Sequence, residues 1–150
     1  MWGRDSAHVA EMAEARENAR YLPGASFPYN LVVHDSLDAT LDGIRDILIA
    51  VPSHALREIA TAIKPFVAED TRVCWATKGF ELGTGKLPHE VIAEVLGASL
   101  SLAVLSGPTF AKEVGDGLPT ALTIASNGSD FAGDLAKALS GPNFRAYTSD

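Results

Sequence analysis

Lys78 stands where the apolar run Val73-Cys74-Trp75-Ala76 gives way to Thr77 and Gly79. A lysine leaving a strand at that point projects its ammonium from the end of a sheet, where it can hold an anion or polarise a carbonyl. By itself, Thr77-Lys78-Gly79 describes a solvated loop lysine more often than a ligand-holding one. A second cluster, Ser106-Gly107-Pro108-Thr109-Phe110-Ala111, combines a glycine that permits close backbone approach, a proline that fixes a turn, and a hydroxyl where a helix would start. Free N–H groups at a helix start attract phosphate. A plain capped helix, with Thr109 bonding its own backbone, has the same composition. Leu105-Ser106-Gly107 lacks the Gly-x-Ser-x-Gly frame of a hydrolase elbow.

The other reactive residue types reduce to structure. His8, His34, His54 and His89 are scattered, and His54 has an i, i+4 spacing with Glu58 without the further ligands that a metal site requires. They read as surface or partner-satisfied histidines. Cys74 is the single cysteine, so it forms neither an internal disulfide nor a cysteine-based zinc site. It lies with Trp75 in an apolar strand, where core packing is its role, and a lone thiol fits a reducing compartment. Gly83-Thr84-Gly85 carries Pro88 where a nucleotide fingerprint would place its third glycine, and no strand precedes it.

The elements that position these residues alternate between short apolar runs and amphipathic stretches. Asp5 and Ser6 offer N-caps for a helix over residues 5–20, with Val9 and Met12 on one face, stopped by Leu22-Pro23-Gly24. After a loop to Asn30, Leu31-Val32-Val33-His34 reads as a strand, and Ser36 caps a brief helix with Leu37, Leu41 and Ile44 on one side. Residues 47–51 (Ile-Leu-Ile-Ala-Val) are the clearest strand, apolar without alternation, as burial on both faces of a parallel sheet requires. Pro52 ends it and Ser53 caps a helix bearing Leu56, Ile59, Ala60 and Ile63. Strands at 73–76, 102–105, 121–125 and 144–149 come next along the chain, with helices at 88–96 and 130–139 and a short one after Thr109. Strands joined by helices give parallel pairing with right-handed crossovers: an open, doubly wound sheet. Ligands bind such sheets at the carboxyl ends of the strands. That rule selects the exits at Val51-Pro52-Ser53, Ala76 to Gly79 and Leu105 to Thr109. It also gives Arg4 a meaning. Met1-Trp2 reads as the end of a strand, and an arginine just beyond the second strand of a dinucleotide fold accommodates a 2′-phosphate, favouring NADP over NAD.

The composition sets outer bounds. The 150 residues suit one domain, and 47% hydrophobic against 21% charged residues excludes wholesale disorder. With 12 Lys plus Arg against 19 Asp plus Glu, the net charge of −7 argues against nucleic-acid binding, which needs a basic surplus. No apolar run approaches the ~20 residues of a membrane helix, and no export signal is visible, so a cytoplasmic location is expected.

Five ordered blocks carry a resemblance: Trp2-Gly3-Arg4-Asp5, residues 17–24 (ENARYLPG), Ala50-Val51-Pro52-Ser53, Trp75 to Gly79, and residues 105–113 (LSGPTFAKE). Together they make the chain resemble NAD(P)-dependent glycerol-3-phosphate dehydrogenase of the bacterial type over its whole length. The resemblance implies a Rossmann-like, mostly parallel doubly wound sheet that lacks the first strand-helix unit. Residues 1–150 would then be a partial cofactor-binding domain. The family's Gly-x-Gly-x-x-Gly turn would precede Met1, and its helical C-terminal domain would follow Asp150. The implied reaction interconverts dihydroxyacetone phosphate and sn-glycerol 3-phosphate with NADPH or NADH, for glycerophospholipid synthesis, in a cytoplasmic homodimer. The implied sites are Arg4, Tyr21, Lys78 and Ala111 for the cofactor, Lys78, Gly107 and Thr109 for the substrate, and Lys78 for catalysis. The 150 residues alone are expected to be inactive. The alternatives are a related hydroxy-acid dehydrogenase, of ketopantoate or 6-phosphogluconate type, and a non-catalytic nucleotide- or partner-binding module.

Overall fold

A computed structural model describes residues 1–149. Asp5 starts the first helix, α1 (Ser6–Ala15), its carboxylate accepting the Ala7 and His8 N–H groups, each at 3.1 Å. The helix stops at Arg16 in a left-handed conformation, φ 55°, and not at residue 20. The chain then forms a hairpin of β1 (Glu17–Asn18) and β2 (Leu22–Ser26), so Leu22-Pro23-Gly24 lies within a strand instead of ending a helix. Tertiary contacts decide this. The Arg16 guanidinium donates to the Leu31 and Pro28 carbonyls at 2.7 and 2.6 Å, and the His8 ring bonds Asn18 Oδ1 at 3.1 Å while meeting the Tyr21 ring edge-on.

Residues 31–34 do not form the expected strand. Leu31 N–H turns back to the Pro28 carbonyl, and His34 makes one parallel bridge, to Trp2. A short helix, α2 (Leu37–Leu41), then starts where Ser36 Oγ accepts the Ala39 N–H.

The main sheet runs in chain order: β3 (Asp46–Ile49), β4 (Arg72–Trp75), β5 (Ser101–Ser106), β6 (Thr120–Ser126) and β7 (Phe144–Ser149). The pairs β3–β4, β4–β5 and β6–β7 are parallel, and β5–β6 is antiparallel. Between β3 and β4 lies α3 (Leu56–Ile63), and between β4 and β5 lies α4 (Pro88–Leu96). The helix between β5 and β6, α5 (Ala111–Gly115), packs on the hairpin strand β2 and does not serve as a crossover, so β6 returns antiparallel. The sheet is therefore mostly, not wholly, parallel.

Alternate residues of each strand feed two cores. On one face Ile47, Ile49, Val73, Trp75 and Leu102 pack against α3 and α4. On the other, Cys74, Ala103, Leu105, Leu122 and Ile124 meet Phe131 and Ala132 of α6 (Ser129–Leu139). Arg72 closes the amino end of that second face. Its guanidinium lies 4.6 Å from the Phe131 ring centroid and bonds Asp46 and Asp134, and it holds both carboxyls below their ordinary range. Strand β3 departs from the two-face burial that its apolarity suggested. Leu48 is 52% exposed because α6 packs over β5, β6 and β7 and leaves the second face of β3 uncovered.

Candidate functional site

The three strand exits singled out by the carboxyl-end rule meet in space. Thr77, buried at the exit of β4, donates its hydroxyl to the Val51 carbonyl beyond β3 at 2.7 Å. Ser53 does not cap α3 as expected. It begins a 3-10 turn, Ser53–Ala55, and its Oγ lies 3.9 Å from where a β-carbon on Gly79 would stand. From the next exit, Lys78 Nζ donates to the Gly107 carbonyl at 2.7 Å, and the Thr109 N–H donates to the same oxygen at 2.9 Å. One carbonyl thus gathers Lys78, Gly107 and Thr109.

Gly107 is required here for packing. A β-carbon would stand 2.8 Å from the Ala121 carbonyl oxygen and 2.9 Å from Leu122 Cα, so only hydrogen fits between the end of β5 and the backbone of β6. Gly79 has φ +92°, a conformation that favours glycine, and it lets the chain turn directly after the lysine. Thr109 is half-buried but caps nothing. Phe110 is the N-cap residue of the five-residue α5, with no side-chain bond, so the expected hydroxyl at a helix start is not how this turn is built. Ala111 is the exposed first residue of that helix.

Lys78 and Gly79 line a cleft of about 430 Å³ with Trp75, Thr77, Leu87, His89 and Ser106. His89, read from sequence as a surface or partner-satisfied histidine, is exposed and also lines the rim of the cleft, because Pro88 opens α4 and so puts the next residue on the first turn. The loop beyond Gly79 is fastened from outside. Arg57 of α3 donates two hydrogen bonds to Glu81, at 2.6 and 3.0 Å, and two to Glu94 of α4, both at 3.2 Å. Thr84 also bonds Glu81, and Lys86 bonds Glu94. Arg57, with help from Thr84, holds the Glu81 carboxyl down at about 2. No spacing in the sequence announces this network, since Arg57 and Glu81 stand 24 residues apart on different elements.

Arg4 and Tyr21 lie on other parts of the structure. Arg4 comes just after the Trp2 bridge and pairs with Glu58 of α3 at 2.9 Å, both side chains largely exposed. Tyr21 sits on the hairpin, 71% exposed, between the His8 ring and the Arg20 guanidinium. The structure thus joins Lys78, Gly107 and Thr109 by hydrogen bonds and gives Arg4 and Tyr21 partners of their own.

Lys78 offers an ammonium to an anion at the cleft, whereas Arg4 lies outside the cleft and is paired with Glu58. These two cations, one just after the Trp2 bridge and one at the exit of β4, belong to a protein whose net charge is −7. Comparison with known proteins decides the kinship. A family profile described as NAD-dependent glycerol-3-phosphate dehydrogenase N-terminus matches residues 1–132. The chain belongs to that family. A glycerol-3-phosphate dehydrogenase [NAD(P)+] from Stenotrophomonas maltophilia is 47% identical over 150 residues, covering 100% of this chain and 44% of the relative. The crystal structure of glycerol-3-phosphate dehydrogenase from Coxiella burnetii superposes with a TM-score of 0.94 at 46% identity, over 99% of this chain and 45% of that one. The chain therefore spans less than half the length of these glycerol-3-phosphate dehydrogenases. A prephenate dehydrogenase from Aquifex aeolicus shares the fold alone, with a TM-score of 0.63 at 10% identity, over 99% of this chain and 51% of that one.

Proposed function

We propose that this chain is the cofactor-binding part of an enzyme that interconverts dihydroxyacetone phosphate and sn-glycerol 3-phosphate with NAD(P)H. The observation that carries the reading is the convergence of Lys78 Nζ and the Thr109 N–H on the Gly107 carbonyl at the carboxyl edge of the sheet, beside an open cleft. When bound, the dihydronicotinamide supplies a hydride. Lys78 holds positive charge beside the carbonyl oxygen on which negative charge develops, and such preorganised charge lowers the barrier. Its bond to Gly107 keeps the long side chain aimed along the sheet edge before substrate arrives. Gly107 and Thr109 form the turn against which the small phosphorylated ketone rests. Arg4 takes a phosphate of the adenosine half, Tyr21 borders the cofactor, and Ala111 lines the cofactor site.

In this reading residues 1–150 are a partial Rossmann domain, completed in the gene's full product by a glycine-rich phosphate turn and a helical substrate domain. The product acts as a cytoplasmic homodimer that supplies the glycerol phosphate backbone of phospholipids. Among the described residues no helix is long and apolar enough to cross a membrane. The deciding experiment is NADPH and NADH oxidation by the full gene product with dihydroxyacetone phosphate. Lys78→Met, in a protein whose circular dichroism matches the parent, is expected to lower kcat/KM by about 10²–10³-fold. No turnover of this ketone by the parent, or full turnover by Lys78→Met, refutes the reading.

A further inference from the structure

A phosphate that meets Arg4 must compete with Glu58, which already pairs with it. The contact is 2.9 Å between Arg4 Nη2 and Glu58 Oε1, with the two side chains 60% and 66% exposed. Glu58 sits in the first turn of α3, directly after the 3-10 turn that leaves β3, and so at the ligand-bearing edge of the sheet. The helix beneath it is anchored by Leu56, Ile59, Ala60 and Ile63, all buried. Neighbouring charges have other partners: Arg57 turns to Glu81 and Glu94, and Asp5 accepts the α1 amides and faces Arg20.

We propose that Glu58 is a specificity-determining residue that weighs against a 2′-phosphate on the dinucleotide. The inference rests on the proposed function, in which Arg4 faces the adenosine half of the cofactor. A 2′-phosphate reaching Arg4 must displace a carboxylate from it and then remain close to that carboxylate, two costs of the same sign. A 2′-hydroxyl meets neither, and it can donate a hydrogen bond to the same Glu58 oxygens. Because the pair stands in solvent, the effect is modest and tunable. It moves the balance between the two cofactors without excluding one.

The test is direct titration of NADPH and NADH fluorescence on the full gene product without substrate, for the parent, Glu58→Gln and Arg4→Gln. Glu58→Gln is expected to improve the ratio of NADPH to NADH affinity about fivefold, the worth of an exposed ion pair, chiefly through tighter NADPH. Arg4→Gln is expected to shift the ratio the other way. If Arg4→Gln shifts the ratio and Glu58→Gln does not, the proposal is overturned while the placement of Arg4 stands. If neither shifts it, Arg4 does not meet the cofactor and the proposal falls with that placement.

Discussion

Replacing Gly107 with alanine separates packing from ligand contact at the turn that holds Lys78. The added carbon would meet Ala121 O at 2.8 Å, Leu122 Cα at 2.9 Å and Leu122 Cβ at 3.1 Å, where ordinary contact begins near 3.4 Å. The two nearest atoms are backbone of β6, and that strand is tied to β5 through Leu105↔Ile124 and Ser106↔Thr123 and to β7 from Thr120 to Ala125. The strand must therefore shift by several tenths of an ångström against two ladders, an overpacking that costs about 1–3 kcal/mol. Gly133→Ala is the matched control. It lies inside α6 with no atom beyond its own stretch of helix backbone within 4 Å of the added carbon, so the substitution should stabilise the protein by about 0.5–1 kcal/mol. Urea unfolding of the full gene product, read as a change in midpoint at constant slope, gives both values. A Gly107→Ala protein within about 0.5 kcal/mol of the parent would refute the packing argument. The need for glycine there would then rest on the ligand alone.

Burial in the sheet pushes the Cys74 thiol up to about 12, so it should resist iodoacetamide in mildly alkaline buffer in the folded protein and react in denaturant. Labelling of the Cys74 peptide, read by mass spectrometry, at the rate of an exposed thiol in the native state would contradict its place beneath α6. At Glu81 the folded carboxyl titrates at about 2 against an ordinary 4.5, so its bond to Arg57 stabilises the fold fully above pH 4.5 and progressively less as pH falls towards 2. Arg57→Gln should therefore be less stable than the parent at neutral pH, with a deficit that shrinks across that window. Urea midpoints at neutral pH and at two points within the window that keep the same deficit would show that Glu81 is not its source.

What the sequence disclosed depended on whether a residue's surroundings were local. The stripe Leu56, Ile59, Ala60, Ile63 defines its own helix face and Pro88 opens α4, so both helices are present, with α3 starting one 3-10 turn after Ser53. The helix expected over residues 5–20 is shorter in the structure because Arg16 and His8 form their decisive bonds with Pro28, Leu31 and Asn18, partners that no helical window contains. The same limit hid the antiparallel return of β6. An amphipathic stretch leading into a strand reads as a crossover whether or not the helix lies across the sheet, and α5 lies on the hairpin.

The site divides in the same way. The place of Lys78 at the exit of β4 was legible because it needs only an apolar strand before it and a glycine after it. The atom it reaches was not legible, since the Gly107 carbonyl is placed by the closeness of β5 to β6, and that closeness depends on a missing side chain. The two levels are linked in one direction. Moving Gly107 disturbs Lys78 and Thr109 together through their shared acceptor, whereas removing the Lys78 ammonium leaves the β5–β6 contact intact. Lys78→Met should therefore lose turnover with little loss of stability, and Gly107→Ala should lose both. If Gly107→Ala were destabilised yet kept full kcat/KM, the carbonyl that gathers the three residues would be a feature of the resting protein and not of its working site.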